Sequence, residues 1–225
     1  MIKAILWDVD GTLIDFKAGE KAAIKTCFKI FGLGDCPDEW VAEYSEINTR
    51  YWRLLEEKKM EKPRILIERF REFFSLHGID PDVSSAFNEE YQVRLGDTVL
   101  FTEGAEETVK ALRGRVIQCG VTNGTLIAQS RKLKKSGLDT LLDKVYISEK
   151  VGFEKPDPRF FDAVFSDLPD LSRGEIMIVG DSQTSDMEGG RRVGIKTCFY
   201  NPRGKAYTEK VDFEIKRVAE ALSIL

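Results

Sequence analysis

Residues 4–13 read Ala4-Ile5-Leu6-Trp7-Asp8-Val9-Asp10-Gly11-Thr12-Leu13, and this stretch decides the fold. Its first part, Ala4–Val9, has no polar face, which is typical of a strand buried on both sides in a parallel sheet. Asp8 and Asp10 stand two residues apart on the extended chain, so the alternation of side chains places both on one side. Carboxylates at the end of a buried strand are costly unless something pairs with them. A simple loop-capping role for the pair stays open at this point.

Short apolar runs alternate with helical stretches again from residue 97 onward. This strand–helix–strand repetition predicts an α/β fold with a Rossmann-like, doubly wound parallel sheet and right-handed crossovers. The further predicted strands are Val116–Val121, Val145–Ser148, Ile176–Val179 and Ile195–Phe199. The predicted helices between them are Ala105–Leu112, Thr125–Ser136, Pro158–Leu168 and Thr184–Val193.

Residues 16–96 break this rhythm and carry apolar side chains at helical spacing, one stripe per helix. We therefore expect an all-helical cap domain, residues 16–96, inserted into a core domain formed by residues 1–15 and 97–225. Ligands of open α/β sheets bind at the carboxyl ends of the strands, and the insertion follows the first of these ends. The many aromatic residues of the insertion are expected to pack on one another, with a minority available to a ligand.

The composition indicates which classes of partner to expect. The 225 residues are 42% apolar and 32% charged, with a net charge of −4, which favours a globular protein and disfavours nucleic-acid binding. No apolar run approaches the ~20 residues of a membrane span. Four scattered cysteines and a single histidine, His77, disfavour a zinc cluster and indicate a reduced, cytoplasmic protein. We expect a small-molecule substrate, no nucleic acid and no membrane, and the oligomeric state stays open.

A second acidic cluster follows the predicted strand Ile176–Val179. Asp181 comes directly after Gly180, and Asp186 lies one helical turn further on. Asp181 beside Asp8 and Asp10 would form a strongly negative pocket, which a hard divalent cation such as Mg²⁺ would stabilise. Asp186 is expected to orient a neighbouring group. The alternative for Asp186 is an interaction with the dipole of the helix that begins there.

Two further strand-end segments supply groups suited to an anion. Thr122-Asn123-Gly124 follows the predicted strand Val116–Val121 and precedes a helix, where hydroxyl, amide and backbone N–H groups form an anion site. Plain N-capping by Thr122 or Asn123 is the alternative. Lys155 precedes Pro156, which holds it on an extended segment, and it supplies the cation that a site of phosphate and carboxylates lacks. A surface lysine in a turn is the alternative.

Taken in order, these segments resemble the haloacid dehalogenase (HAD) superfamily over essentially the whole chain. Asp8–Thr12 is similar to the first motif of that family, Thr122 to the second, Lys155 to the third, and Asp181 with Asp186 to the fourth. The helical insertion resembles the type-1 cap of the family.

The resemblance implies an Mg²⁺-dependent phosphatase that works through an aspartyl-phosphate. Asp8 would be the nucleophile, which needs a low pKa, and Asp10 the general acid and base, which needs a raised pKa. An Asp at position 10 favours a phosphatase over a dehalogenase, because halide leaves without a proton. The implied roles of the remaining residues are Mg²⁺ binding by Asp8, the backbone carbonyl of Asp10 and Asp181, phosphate binding by Thr122 and Lys155, and substrate contacts by Asn123 and Gly124.

The substrate class follows from a looser resemblance. Residues 122–124, residues 147–152 and the run Ile-Asn-x-x-Tyr-Trp at 47–52 look like bacterial 5′-nucleotidases that act on pyrimidine nucleoside monophosphates. A phosphoglycolate or sugar-phosphate phosphatase is the alternative within the same family. A non-catalytic phosphate-binding regulatory module and a phosphoryl-transferring mutase are alternatives of other classes.

Overall fold

The computed structural model describes residues 1–225 and divides the chain into two compact units. One unit comprises Met1–Phe16 and Val99–Leu225, and the other comprises Lys17–Thr98. These limits lie within two residues of the limits expected from the sequence. Each unit has its own layers and its own interior.

The larger unit contains a six-stranded, all-parallel sheet in the order β3-β2-β1-β4-β5-β6. This parallel sheet with its helices confirms the predicted α/β class. The strands are β1 Ala4–Asp8, β2 Ile117–Thr122, β3 Lys144–Ile147, β4 Ile176–Gly180, β5 Lys196–Tyr200 and β6 Phe213–Ile215.

Helices follow the strands of the larger unit and make up most of the smaller one. The helices of the smaller unit are α1 Phe16–Ile30, which begins at the boundary, α2 Asp38–Glu56, α3 Lys62–Leu76 and α4 Ser84–Asp97. Those of the larger unit are α5 Ala105–Leu112, α6 Leu126–Ser136, α7 Leu138–Leu141, α8 Ser148–Val151, α9 Pro158–Ser166 and α10 Glu188–Val193, with a π-helix at Gln183–Met187.

Strand β1 lies at the centre of the sheet and is buried on both faces. Ile5 and Trp7 belong to one hydrophobic cluster, whereas Ala4 and Leu6 belong to a second cluster. All four side chains are fully buried. Because side chains on both faces of β1 are covered, neither face of the strand is polar.

Three details differ from the sequence prediction. Strand β6 has a single fully buried residue, Ile215, beside the exposed Glu214, so it carries no apolar run from which to predict it. The predicted helix Thr184–Val193 is a π-helix continued by α10. Thr125 is the N-cap of α6 rather than its first residue, because its hydroxyl accepts a hydrogen bond from the first turn.

The two chain crossings between the units are joined by backbone hydrogen bonds on the side of the larger unit. Ile14 and Phe101 form an antiparallel bridge, and the N–H of Asp15 donates to the carbonyl of Leu100 at 2.8 Å. These bonds hold both crossings to the sheet unit, which places the division after Phe16.

The smaller unit has an aromatic interior. Phe28 and Phe87 pack edge to face, with ring centroids 5.8 Å apart. The fully buried aromatic side chains are Phe28, Tyr44, Phe70, Phe73, Phe74, Phe87 and Tyr91. Most aromatic rings of the helical unit therefore pack against one another in its interior, as expected from the sequence.

The same interior encloses two opposite charges that sequence reasoning missed. Glu20 and Arg69 are each 1% exposed. The amide of Asn48 connects them, because its nitrogen donates to Glu20 at 2.7 Å and its oxygen accepts from Arg69 at 2.6 Å. Lys17 also pairs with Glu20 and Asn88 also accepts from Arg69, so both charges have several polar partners, without which a buried position would be costly.

Two further observations concern the state of the cysteines and the length of the helices. Cys27, Cys36, Cys119 and Cys198 are all free and buried. Burial raises the pKa of the Cys198 thiol to about 12. A bilayer could not be crossed by any of the helices, since none combines sufficient length with sufficient apolarity.

Close packing between α10 and the sheet gives a stability prediction. A Cβ added at Gly190 would lie 2.7 Å from Cγ2 of Ile178 and 2.8 Å from Cγ2 of Thr197, both on stiff β-branched side chains. Gly190→Ala should therefore lower the free energy of unfolding by about 1–3 kcal/mol, measured by urea denaturation. Gly174→Ala is the control, because nothing lies within 4 Å of an added Cβ there. Equal stability of the two variants would contradict the packing argument.

Candidate active site

The polar residues predicted from the strand ends lie at one edge of the sheet. Asp8 is the last residue of β1 and pairs in register with Val121 of β2, directly before Thr122. Asp181 follows Gly180, the last residue of β4, which is the other neighbour of β1. Parallel strands end at the same edge, and this edge is where open α/β sheets bind ligands.

Lys155 is the centre of the site and is 1% exposed. Its ammonium donates to Asp8 Oδ1 at 2.9 Å, to Asp186 Oδ1 at 2.6 Å and to the carbonyl of Val121 at 2.8 Å. The side-chain amide of Asn123 bonds to both the N–H and the carbonyl of Lys155, each at 2.8 Å. Asn123 thus holds the lysine segment in place, which is a different contact from the substrate contact predicted for its side chain.

Three carboxylates gather around this ammonium. Asp8, Asp181 and Asp186 each present an oxygen, and these oxygens lie within 4.8 Å of one another. Both oxygens of Asp186 accept hydrogen bonds, one from Lys155 and one from the N–H of Ser182 at 3.2 Å. Oδ2 of Asp8 is buried and has no hydrogen-bond partner. Three ionised carboxylates against one ammonium leave two negative charges, which a divalent cation would balance.

Two glycines make room for these carboxylates. Gly11 has φ +94°, and an added Cβ would lie 2.7 Å from Oδ2 of Asp181. A Cβ at Gly180 would overlap the carboxylate of Asp186. The left-handed backbone at Gly11 strains any other residue, so both the turn and the space require glycine there.

Burial and crowding set the pKa values of the site. Burial raises the pKa of Asp8 well above its ordinary value, and Asp186 and Asp181 add to the rise while Lys155 opposes it. The expected low pKa of Asp8 is therefore not found in the protein without a cation. Burial, with Asp186 beside it, raises the pKa of Asp181 to about 7. Burial lowers the pKa of Lys155, but Asp186 and Asp8 outweigh it and the pKa lies above its ordinary value.

Asp10 occupies a separate environment from this group. Strand β1 ends at Asp8, so the alternation used to place Asp10 beside Asp8 does not extend to it. The carboxylate of Asp10 accepts a hydrogen bond from Nε2 of Gln129 at 2.5 Å and one from the ammonium of Lys132. The Asp10 side chain is therefore held against α6, outside the cluster of Asp8, Asp181 and Asp186.

Sequence reasoning missed Gln129 and Lys132. Both are 1% exposed and lie on the buried face of α6 together with Ala128 and Leu133. The signal was present, since two long polar side chains three residues apart fall on the apolar stripe of a helix that opens a strand-end motif.

The backbone around Thr122 is already partly engaged by protein groups. The hydroxyl of Thr122 accepts from the N–H of Gly124 at 3.0 Å. Thr125, and neither Thr122 nor Asn123, caps α6. The carboxylate of Glu149 accepts from the N–H of Leu126 at 2.6 Å. The N–H groups of Gly124 and Leu126 thus already have acceptors within the protein, so the anion site predicted at this helix start has fewer free donors than the sequence suggests.

A family model, related sequences and solved structures all match this chain to the same family. A family model described as haloacid dehalogenase-like hydrolase matches residues 5–200. The HAD-hydrolase YfnB of Bacillus subtilis is 31% identical over 225 residues, which are 99% of this chain and 95% of that protein. Its crystal structure bound to magnesium matches with a TM-score of 0.94 at 30% identity, covering 99% of this chain and 98% of that chain.

Two further relatives carry named activities. The pyrimidine 5′-nucleotidase PynA of Streptococcus pneumoniae is 33% identical over 201 residues, 89% of this chain and 84% of that protein. The pyrimidine 5′-nucleotidase YjjG of Escherichia coli is 24% identical over 207 residues, 92% of this chain and 89% of that protein. With the family model matching most of the chain and two relatives above 30% identity over nearly all of it, the protein belongs to the haloacid dehalogenase-like hydrolase family.

Proposed function

We propose that this hydrolase is an Mg²⁺-dependent phosphatase that removes phosphate from nucleoside 5′-monophosphates, with pyrimidine nucleotides as the preferred substrates. One observation carries the phosphatase part. Lys155 fixes one oxygen of the buried Asp8 carboxylate, the second oxygen has no hydrogen-bond partner, and the carboxylate clusters with those of Asp181 and Asp186. This arrangement suits a fixed nucleophile next to a cation site.

The residues present fit a magnesium ion. Oδ2 of Asp8 is a buried acceptor without a donor, and carboxylate oxygens are the ligands that Mg²⁺ prefers. Asp8 and Asp181 would hold the ion, with the backbone carbonyl of Asp10 as a third ligand. Asp186 is less suited, because its oxygens are engaged by Lys155 and by the backbone of Ser182. When bound, the ion neutralises charge on the phosphoryl oxygens and on the carboxylates around it.

The side chains then divide the reaction between them. Asp8 forms a bond from its carboxylate oxygen to phosphorus as the ester bond breaks, and Asp10 gives a proton to the departing alkoxide. In the second step Asp10 takes a proton from the water that attacks phosphorus, the bond to Asp8 breaks, and inorganic phosphate leaves. Lys155 would keep Asp8 in one orientation throughout, and its positive charge would offset part of the charge on the phosphoryl group, while Thr122 would offer its hydroxyl to phosphate.

The choice of nucleotide rests on similarity to PynA, which is a pyrimidine 5′-nucleotidase. Phosphoglycolate and sugar phosphates are the alternative substrates, since they share the phosphomonoester that Asp8 attacks. A regulatory module that binds phosphate without turnover is the alternative of another class. The unpartnered oxygen of the Asp8 carboxylate speaks against that alternative, because an ionised carboxylate at a site that only binds phosphate would repel it.

Replacing the nucleophile should abolish the reaction. Asp8→Asn keeps the shape and an oxygen for Lys155 but removes the attacking carboxylate, so kcat should fall by about 10⁴-fold or more. Phosphate release from nucleoside monophosphates and from para-nitrophenyl phosphate measures this. Asp170→Asn is the control, because Asp170 is exposed and remote in sequence from every motif. Undiminished release by Asp8→Asn would rule out the mechanism, and no release by the wild type would favour the regulatory module.

Magnesium should stabilise the protein through Asp8 and Asp181. A cation that binds only the native state adds about 2.7 kcal/mol at 100 times its dissociation constant, so thermal unfolding should shift upward with Mg²⁺. Asp181→Asn should remove most of this shift, whereas Asp170→Asn should keep it. Protons compete for the carboxylate of Asp181, whose pKa is about 7, so the shift should shrink as the pH is lowered through neutrality. An unchanged shift in Asp181→Asn would refute the ligand assignment.

The substrate proposal is tested by a panel at equal concentrations. Uridine and thymidine monophosphates should give kcat/KM values at least about tenfold above those of phosphoglycolate and of simple sugar phosphates. Phosphate release measured under saturating Mg²⁺ supplies the comparison. Purine monophosphates serve as the matched control, because they share the ribose phosphate and differ in the base. A higher kcat/KM for phosphoglycolate would replace the nucleotidase proposal with its alternative while leaving the chemistry intact.

A further inference from the structure

The carboxylate of Asp10 has both of its oxygens engaged by one helix. Nε2 of Gln129 donates to Oδ2 at 2.5 Å, and the ammonium of Lys132 contacts Oδ1. The Asp10 side chain is 20% exposed, whereas that of Lys132 is 1% exposed. An ammonium this deeply buried needs a fixed acceptor, so the contact holds the Asp10 carboxyl group at one place against α6.

The surrounding residues build this contact in detail. An added Cβ at Gly124 would overlap the Gln129 side chain, so the glycine leaves the space through which Gln129 reaches Asp10. Thr125 fixes the start of α6 by capping it. The ring of Phe16 lies 5.6 Å from the Lys132 ammonium and covers it on another side. Three separate constraints therefore place the two donors.

We propose that Gln129 and Lys132 are positioning residues that hold the Asp10 carboxyl group where it delivers a proton to the leaving group. This inference rests on the proposed phosphatase function and goes beyond it, because neither residue belongs to a motif by which the family resemblance was assigned. A general acid works only within hydrogen-bond reach of the atom it protonates. Without the two donors, Asp10 can rotate about its side-chain bonds, and the time it spends in reach falls.

The leaving group provides a way to separate this role from a structural one. A nucleoside alkoxide needs a proton as it departs, whereas para-nitrophenolate is stable as an anion and departs without one. Loss of Asp10 alignment should therefore slow the alkyl ester much more than the aryl ester. A general loosening of the site would slow both esters alike, since both depend on Asp8 and Lys155.

The experiment uses Lys132→Met and Gln129→Met, which keep side-chain length and remove the donors. The quantity compared is kcat/KM, because it contains only steps up to leaving-group departure. For a nucleoside monophosphate, kcat/KM should fall about 10- to 100-fold in each variant, and for para-nitrophenyl phosphate by less than about threefold. Lys132→Arg keeps a charged donor and should recover most of the loss. Lys134→Met, an exposed lysine of the same helix, is the matched control and should match the wild type.

A double-mutant cycle gives a second readout. In an Asp10→Asn background, Lys132→Met and Gln129→Met should cause no further loss, because the group through which they act is gone. Further loss there, or equal loss on both esters in the single variants, would overturn the inference. Thermal unfolding checks each variant, and Gln129→Met decides the matter where Lys132→Met does not fold. A wild type inactive on both esters would instead refute the phosphatase proposal, so the two failures are distinguishable.

Discussion

The buried ammonium of Lys155 is the interaction on which the site depends. It joins the end of β1, through Asp8, to Asp186 beyond β4, and it also donates a hydrogen bond to the carbonyl of Val121 near the end of β2. Burying an ammonium is costly, and the two carboxylates offset that cost only while all three groups keep their places. Removing the ammonium would leave both carboxylates buried without their cation, at a cost on the order of 3–5 kcal/mol. Three strand ends are thus fixed to one another by a single side chain.

The segments of the site position one another rather than acting as separate signatures. Asn123 from the second segment holds the backbone of Lys155 from the third. Gly11 from the first leaves the space that Asp181 of the fourth occupies, and Gly124 leaves the space for Gln129. Small residues are therefore needed where a neighbouring segment brings a long or charged side chain close. This mutual packing explains why four patterns that are weak alone are informative together. Each segment holds, or leaves space for, a side chain of another segment.

Sequence reasoning predicted what topology dictates and missed what side-chain packing dictates. Asp8, Thr122 and Asp181 follow from strand ends, because parallel strands terminate at one edge whatever else the chain does. The contacts of Gln129 and Lys132 depend on how α6 is rotated about its axis, which one-dimensional spacing does not specify. The pKa of Asp8 escaped prediction for a related reason. Its direction depends on the balance of burial and two carboxylates against one ammonium, and that balance requires the distances.

The separation of Asp8 from Asp10 is the feature of the fold that bears on the proposed phosphate chemistry. Two carboxylates in a shared pocket cannot both ionise easily, so each would depend on the proton of the other, whereas here the two side chains have different surroundings. The chain turns after Asp8 and gives Asp10 its own donors on α6. A reaction that expels halide has no use for a held acid, because the leaving group takes no proton. The donors around Asp10 therefore suit the proposed acid, because an alkoxide leaving group must be protonated as it departs.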